Sequence, residues 1–417
     1  MAADGRLRIG GADAVRLAER YGTPLYVYEA DTIRAAYREY VRAFRAYRPV
    51  RVSYAIKACP LVGVSSLLAR AGADASAASL GEVLAARRAG IPASRIQLHG
   101  NAKTEDELRG VLRARVGRIV IDGADEIEVL ARLVRTRRRA QPVWLRVSPG
   151  IAADTHPHLR TGALDSKFGA PLATGEALAQ ARAIAATRGL RLVGVHAHIG
   201  TEIHEPDRYR ELSEMLVAFA RELAGIGVRI REIGVGGGLT VPLREGEHVL
   251  PLADYAAAIA PPIRAAEDLG ATIYVEPGRS LVGRAGVALY RVVGTKRVAG
   301  VRTFVAVDGG MGDNIRPALY GAQYTALLAG RASAAAEEEV AIAGRYCESG
   351  DVLIRAVALP TPRRGEVVAV PGAGAYALAM ASNYNHHLRP AVVTVEGGRA
   401  RIVRRRERYE DIWRLER

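Results

Sequence analysis

Arg51-Val-Ser-Tyr-Ala-Ile-Lys57-Ala-Cys59 is a β-branched and aromatic run that ends at a lysine and leads into a helical pattern. Outward from it, similar short runs recur at 73–77, 95–98, 118–121, 143–147, 192–198, 232–235 and 272–276, which with 51–56 makes eight strand candidates. The intervening segments 80–89, 104–114, 124–137, 175–187, 207–224 and 252–268 carry apolar residues at helical spacing. Eight strand-then-helix units over roughly 235 residues are what a (β/α)8 barrel needs, whereas a doubly wound sheet usually stops at five or six. Beyond about residue 285 the helical periodicity fades. The runs 287–293, 303–307, 339–342, 352–356, 366–370 and 391–395, set between Gly and Pro turns, predict a C-terminal all-β, Greek-key-like domain. An early strand at 24–28 is expected to join it. The expected division is an N-terminal segment 1–40, a barrel 41–285 and a β domain 286–417.

Of the 417 residues, 49% are hydrophobic and 25% charged, an ordinary globular balance. No run approaches the roughly 20 apolar residues of a membrane span, and the N-terminus lacks a signal peptide's apolar stretch. Two cysteines, Cys59 and Cys347, exclude a disulfide framework and suit a reducing cytoplasm. A net charge of +15 and the basic run 401–406 raise the possibility of nucleic-acid binding. That charge is nearly all arginine, the lysines being Lys57, Lys103, Lys167 and Lys296. The arginines interleave with acids on helical faces, with no aromatic-plus-basic stripe, so solvated surface is preferred and no nucleic-acid partner is expected.

Barrels of this kind place reactive groups where strands end at the C-terminal rim. Lys57 follows strand one, where desolvation is expected to lower its pKa and leave an amine able to attack a carbonyl. The blander alternative is a snorkelling or ion-paired lysine, and Lys103 and Lys167 also follow strands. Strand seven runs into Val235-Gly-Gly-Gly-Leu239 and strand eight into Glu276-Pro-Gly-Arg-Ser280. Loops at those positions commonly hold a phosphate on backbone N–H groups, although a glycine run is also an ordinary turn. Glu276 at the same mouth suits a protonated pyridine nitrogen, as in pyridoxal phosphate (PLP), or an ion pair with Arg279. Strand six ends in His196-Ala-His198, and alternation places both rings on one face. A metal site is disfavoured, since no second cluster stands at another strand end in usable spacing, although His156 and His158 form a loop pair. His198 is expected to stack on a cofactor ring, with His196 a satisfied core residue.

Tyr54-Ala-Ile-Lys57-Ala, His198-Ile-Gly, Gly236-Gly-Gly-Leu, Glu276-Pro-Gly-Arg-Ser, Cys347-Glu-Ser-Gly-Asp-Val-Leu and Gly374-Ala-Tyr occur in that order. The series resembles the alanine-racemase-fold PLP-dependent decarboxylases. Thr155-His156, Thr161-Gly162, Asp165-Ser-Lys-Phe-Gly169, Ile315-Arg-Pro-Ala-Leu-Tyr320 and Ser382-Asn-Tyr-Asn385 resemble its diaminopimelate-decarboxylating branch. His99-Gly-Asn101, Lys103 and Gly22-Thr-Pro-Leu-Tyr-Val-Tyr28 carry the resemblance toward the N-terminus.

The resemblance implies that Lys57 carries PLP, His198 stacks on its ring and Glu276 pairs with the pyridine nitrogen. It gives the phosphate to Gly236, Gly237, Gly238 and the Gly278–Arg279 backbone, with Tyr376. It assigns the substrate's distal carboxylate to Arg279, Arg316 and Tyr320, and the distal ammonium to Glu348, with Tyr376 nearby and Cys347 close to the reacting carbon. Cys347 and Glu348 come from the partner subunit in such enzymes, which implies a homodimer with two shared sites. The implied reaction takes meso-2,6-diaminopimelate to L-lysine and CO2, the last step of lysine biosynthesis. The rivals are decarboxylation of another basic or carrier-linked amino acid, a non-catalytic PLP-binding barrel, and a metal-dependent hydrolase using His196 and His198. The sequence departs from the family pattern at 73–82, where the source of an expected aspartate is open, at Thr240 in place of glycine, and at Thr201-Glu202 in place of Ser-Gln.

Overall fold

Eight parallel strands close into a ring in the computed structural model, which describes residues 5–151, 166–244 and 246–416. They are β1 Val50–Ala55, β2 Asp74–Ala77, β3 Ile96–Leu98, β4 Arg118–Ile121, β5 Gln141–Ser148, β6 Leu190–His196, β7 Glu232–Gly234 and β8 Thr272–Val275. Neighbours pair in chain order, β8 pairs with β1, and each pair is parallel. Parallel strands covered on both faces read as near-continuous apolar runs, and Arg118-Ile-Val-Ile121 is buried from its second residue onward. The helices between them start on built caps. Ser79 accepts from the Glu82 N–H at 3.2 Å while the Glu82 carboxylate accepts from the Ala78 N–H at 2.7 Å. Thr104 caps Glu105–Ala114, whose first turn carries three acids that suit the helix dipole.

The chain divides into two compact units. One comprises Ala36–Thr240 and Val249–Gly278, and the other Met1–Ala35, Val241–His248 and Arg279–Arg417. Inside the barrel, the buried Trp144 packs with Val120 and Tyr274 and donates from Nε1 to Glu232 at 2.7 Å. At the N-terminal end of the ring, Asp74 accepts from Arg51 at 2.8 Å and from Arg95 at 2.5 Å. The aspartate there is a buried ion-pair centre at the end of the barrel remote from the C-terminal rim, where such residues serve stability.

The second unit is a mixed nine-stranded sheet. Its strand Leu25–Glu29 lies between Gly286–Val298, antiparallel, and Ala391–Glu396, parallel. Alternation sorts that strand's side chains: Leu25 and Val27 enter one apolar core, while Tyr26 and Tyr28 on the other face donate to the carbonyls of Asp313 and Gly374, each at 2.9 Å. The basic run 401–406 is largely an edge strand, Arg399–Arg404, in a hairpin with Ala391–Glu396. Three of its four arginines have internal partners: Arg404 meets Glu407 at 3.0 Å, Arg405 meets Asp411 at 2.7 Å, and Arg406 donates to the Pro24 carbonyl at 2.7 Å. Among the described residues no helix is long and apolar enough to cross a membrane.

Candidate active site

β1 stops at Ala55, and one 3-10 turn, Ile56–Ala58, carries Lys57. Two bonds fix that turn. The Tyr54 hydroxyl donates to the Cys59 carbonyl at 2.9 Å, and the Ala55 N–H donates to the Pro277 carbonyl at 3.0 Å, tying it to the loop after β8. Lys57 is exposed, not desolvated as expected, because the turn lifts it off the apolar strand. The rival lysines differ in kind. Lys103 is buried, paired with Glu126 at 2.7 Å and donating to the Gly100 and Val120 carbonyls, so it is a structural cation. Lys167 is exposed beside the Phe168 ring.

β6 ends at His196, so strand alternation does not set the direction of His198. The loop after β7 does. Gly236 has φ +66°, and a Cβ there would come within 2.7 Å of His198 Nδ1, so the imidazole lies against bare backbone. A Cβ on Gly237 would run into the Glu276 carbonyl oxygen, and one on Gly238 would lie 2.5 Å from the Tyr209 hydroxyl. That hydroxyl is buried and has no hydrogen-bond partner among the described residues. Burial pushes the His198 imidazole well below its ordinary range, with the Lys57, Arg146 and His196 charges adding to the effect.

Glu276 directly follows β8 and is 8% exposed. Its partners are His99, whose Nε2 lies 2.8 Å from Oε1, and His196, whose Nε2 lies 3.0 Å from Oε2. His196 is the satisfied core histidine expected, and its partner is Glu276. Burial opposes the Glu276 charge, yet the two histidines outweigh it and hold the carboxyl well below the usual carboxylate range. Burial lowers His196 to about 4, leaving it neutral near pH 7. Sequence reasoning missed the link to His99 because the three residues meet only when β3, β6 and β8 share one barrel. The ligand atoms of this trio lie within 4.8 Å of one another, a grouping a metal could use. The N···O separations of 2.8 and 3.0 Å are shorter than a metal would set, since ligands about 2.0 Å from a tetrahedral zinc stand about 3.3 Å apart.

The barrel rim thus brings together Lys57, His198, Gly236, Gly237, Gly238 and Glu276, with Gly278 just beyond. The other unit holds the remaining candidates in separate groups. Arg279, buried, lies 5.2 Å from the Tyr376 ring centroid, and Tyr376 has φ +60°. Arg316, also buried, donates to the Tyr324 hydroxyl at 3.0 Å, and Tyr320 ends the short helix Arg316–Tyr320. Cys347 and Glu348 are exposed; the Cys347 N–H donates to Asn385 Oδ1 at 2.9 Å and Glu348 accepts from the Tyr384 hydroxyl at 2.7 Å. Tyr324 went unnoticed in sequence, and Tyr384 and Asn385 stood in a quoted motif without a role. Thr155, His156, His158, Thr161, Gly162 and Asp165 lie outside the described residues.

A neutral imidazole, an ionised buried carboxylate, a glycine-lined backbone cradle with an orphaned buried hydroxyl, and an accessible lysine amine on one rim fit PLP. Residues 30–283 match the family model of the pyridoxal-dependent decarboxylase, pyridoxal binding domain, which makes this chain a PLP-dependent decarboxylase of the barrel class. It is 42% identical to the diaminopimelate decarboxylase of Bacillus subtilis over 99% of this chain and 95% of that one. Identity to the same enzyme from Actinosynnema pretiosum is 43%, over 99% and 93%. The crystal structure of diaminopimelate decarboxylase from M. jannaschii with L-lysine matches at a TM-score of 0.94 and 32% identity, covering 100% of this chain and 97% of that one. The chain belongs to the diaminopimelate decarboxylase family.

Proposed function

We propose that this enzyme decarboxylates meso-2,6-diaminopimelate to L-lysine and CO2, the last step of lysine biosynthesis. The observation that carries the reading is the rim set of Lys57, neutral His198 and ionised Glu276 in a chain alike over its whole length to diaminopimelate decarboxylases. PLP, when bound, supplies the electron sink for the pair left behind by the departing CO2. Lys57 carries the cofactor and Glu276 accepts the pyridine N–H, which keeps the ring nitrogen protonated. His198 packs on the ring without adding charge. Gly236, Gly237, Gly238, Gly278, Arg279 and Tyr376 hold the phosphate. Arg279, Arg316 and Tyr320 grip the distal carboxylate, a group that ornithine and lysine lack. An L-configured product requires loss of the carboxylate at the D centre of the meso substrate. Glu348 takes the distal ammonium and Cys347 returns a proton to the reacting carbon. Their exposure supports a role in the partner subunit's site, hence a homodimer with two shared sites. Both cysteines are free, which fits a reducing cytoplasm.

CO2 release measured against meso-, LL- and DD-diaminopimelate, ornithine, lysine and arginine tests the substrate. Turnover should be confined to the meso isomer, and preference for ornithine or lysine would refute the distal grip. Borohydride should fix PLP to Lys57, and Lys57→Ala should abolish both labelling and turnover. Label on Lys103 or Lys167 would overturn the assignment.

A further inference from the structure

We infer that His99 and His196 clamp the Glu276 carboxylate, one on each oxygen, and act as positioning residues for the ring nitrogen of the cofactor. The inference rests on the reading of Glu276 as that nitrogen's partner. A carboxylate only accepts hydrogen bonds, so each imidazole nitrogen facing it must carry the proton. One imidazole nitrogen closes on each oxygen: His196 Nε2 hydrogen-bonds Oε2 at 3.0 Å, and His99 Nε2 lies 2.8 Å from Oε1 in a polar contact outside hydrogen-bond alignment.

The clamp is itself held. The His99 backbone N–H donates to the Ala77 carbonyl at 2.7 Å, and its ring meets His196 edge-on with centroids 4.7 Å apart. His196 lies nearly parallel to the Trp144 indole, which is tethered to Glu232. A Cβ on Gly234 would come within 2.8 Å of the His196 ring, so only glycine leaves this space. The Glu276 backbone N–H is pinned to the Gly236 carbonyl at 2.7 Å. His196 Nδ1 is buried without a hydrogen-bond partner among the described residues, so its one N–H is committed to Glu276. Without these donors, a carboxylate this buried would take up a proton, and a neutral acid is a poor partner for a protonated pyridine.

Glutamine places its amide nitrogen near the position of Nε2, while asparagine stops near Nδ1. A clamp therefore needs reach as well as polarity. H99N and H196N should raise the PLP dissociation constant about tenfold or more, the effect of losing one hydrogen bond to a charged group. Their bound-cofactor absorption should also become pH-dependent between about pH 6 and 9, within reach of a free pyridine-type nitrogen's response to its partner. H99Q and H196Q should stay within about threefold of wild type with its spectrum, since the donor is kept. Circular dichroism of each variant without PLP checks the fold, and if H196N does not fold, the H99N and H99Q pair carries the same comparison. Equal behaviour of the asparagine and glutamine variants, or an unchanged spectrum in both, would overturn the clamp. E276Q separates the two readings. If it leaves the bound-cofactor spectrum unchanged, Glu276 is not the nitrogen's partner; if it changes the spectrum while H99N and H196N do not, only the clamp fails.

Discussion

His196 takes up its proton near pH 4 in the folded chain because burial disfavours the cation, whereas an unfolded histidine titrates near about 6.5. Between those values the unfolded chain binds a proton that the folded chain refuses. Stability from this residue is therefore intact above about pH 6.5 and lost as the pH falls toward 4, by up to about 1.4 kcal/mol per unit. Asp313 has the opposite sign: burial pushes its carboxyl up to about 7, so the folded chain keeps a proton that the unfolded chain has released, and acidification toward pH 5 favours folding. Glu276 is silent in this window, being ionised in both states above about pH 5. The informative quantity is thus a difference. Thermal melts of wild type and H196Q from pH 7 to 5 should diverge, with H196Q losing less on acidification. Parallel curves would place the acid response elsewhere. The same scale separates the lysines. Lys57 and Lys103 both follow strands in sequence, but only the structure shows one exposed and the other buried on three acceptors.

At the level of elements, the loop after β7 is built from what it lacks. Gly237 has no room for a side chain, because the Glu276 backbone approaches from the end of β8. Gly237→Ala must move one loop or the other, at an overpacking cost that corresponds to about tenfold or more in PLP affinity, with kcat/KM falling alongside. Gly225→Ala is the control, since a Cβ at that helix end meets nothing within 4 Å and both quantities should hold. If Gly237→Ala binds PLP as wild type does, the cradle is not where the phosphate rests. Strand positions were legible because burial on both faces leaves apolar runs, and β2 through β5 fall within a few residues of their expected spans. The end of β6 was not. Val195-His-Ala-His198 continues the alternation in letters, but the strand stops at His196 and the glycine loop, not the pleat, orients His198.

For the whole molecule, Lys57 and the Cys347–Glu348 pair belong to different units of the chain, and the shared-site proposal joins them across a dimer. Lys57→Ala and Glu348→Ala should each be inactive alone. With subunits exchanged at random, about half the dimers are mixed, each with one site free of both defects, so about a quarter of wild-type activity should return. Confirmed exchange with no return of activity would mean that each site is built within one chain. The sequence by itself determined the barrel, the β region after it and the residues that make PLP chemistry possible. Each is written locally, in hydrophobic period, glycine runs and strand-end residue types. Only the tertiary structure decided which groups act on one another. Asp74 is a remote ion-pair centre, the basic run is a paired edge strand, and Glu276 is the close partner of two histidines from distant segments. Those outcomes depend on ring closure and burial, which bring side chains within 3 Å of each other irrespective of their separation in the chain, and no local pattern encodes that distance.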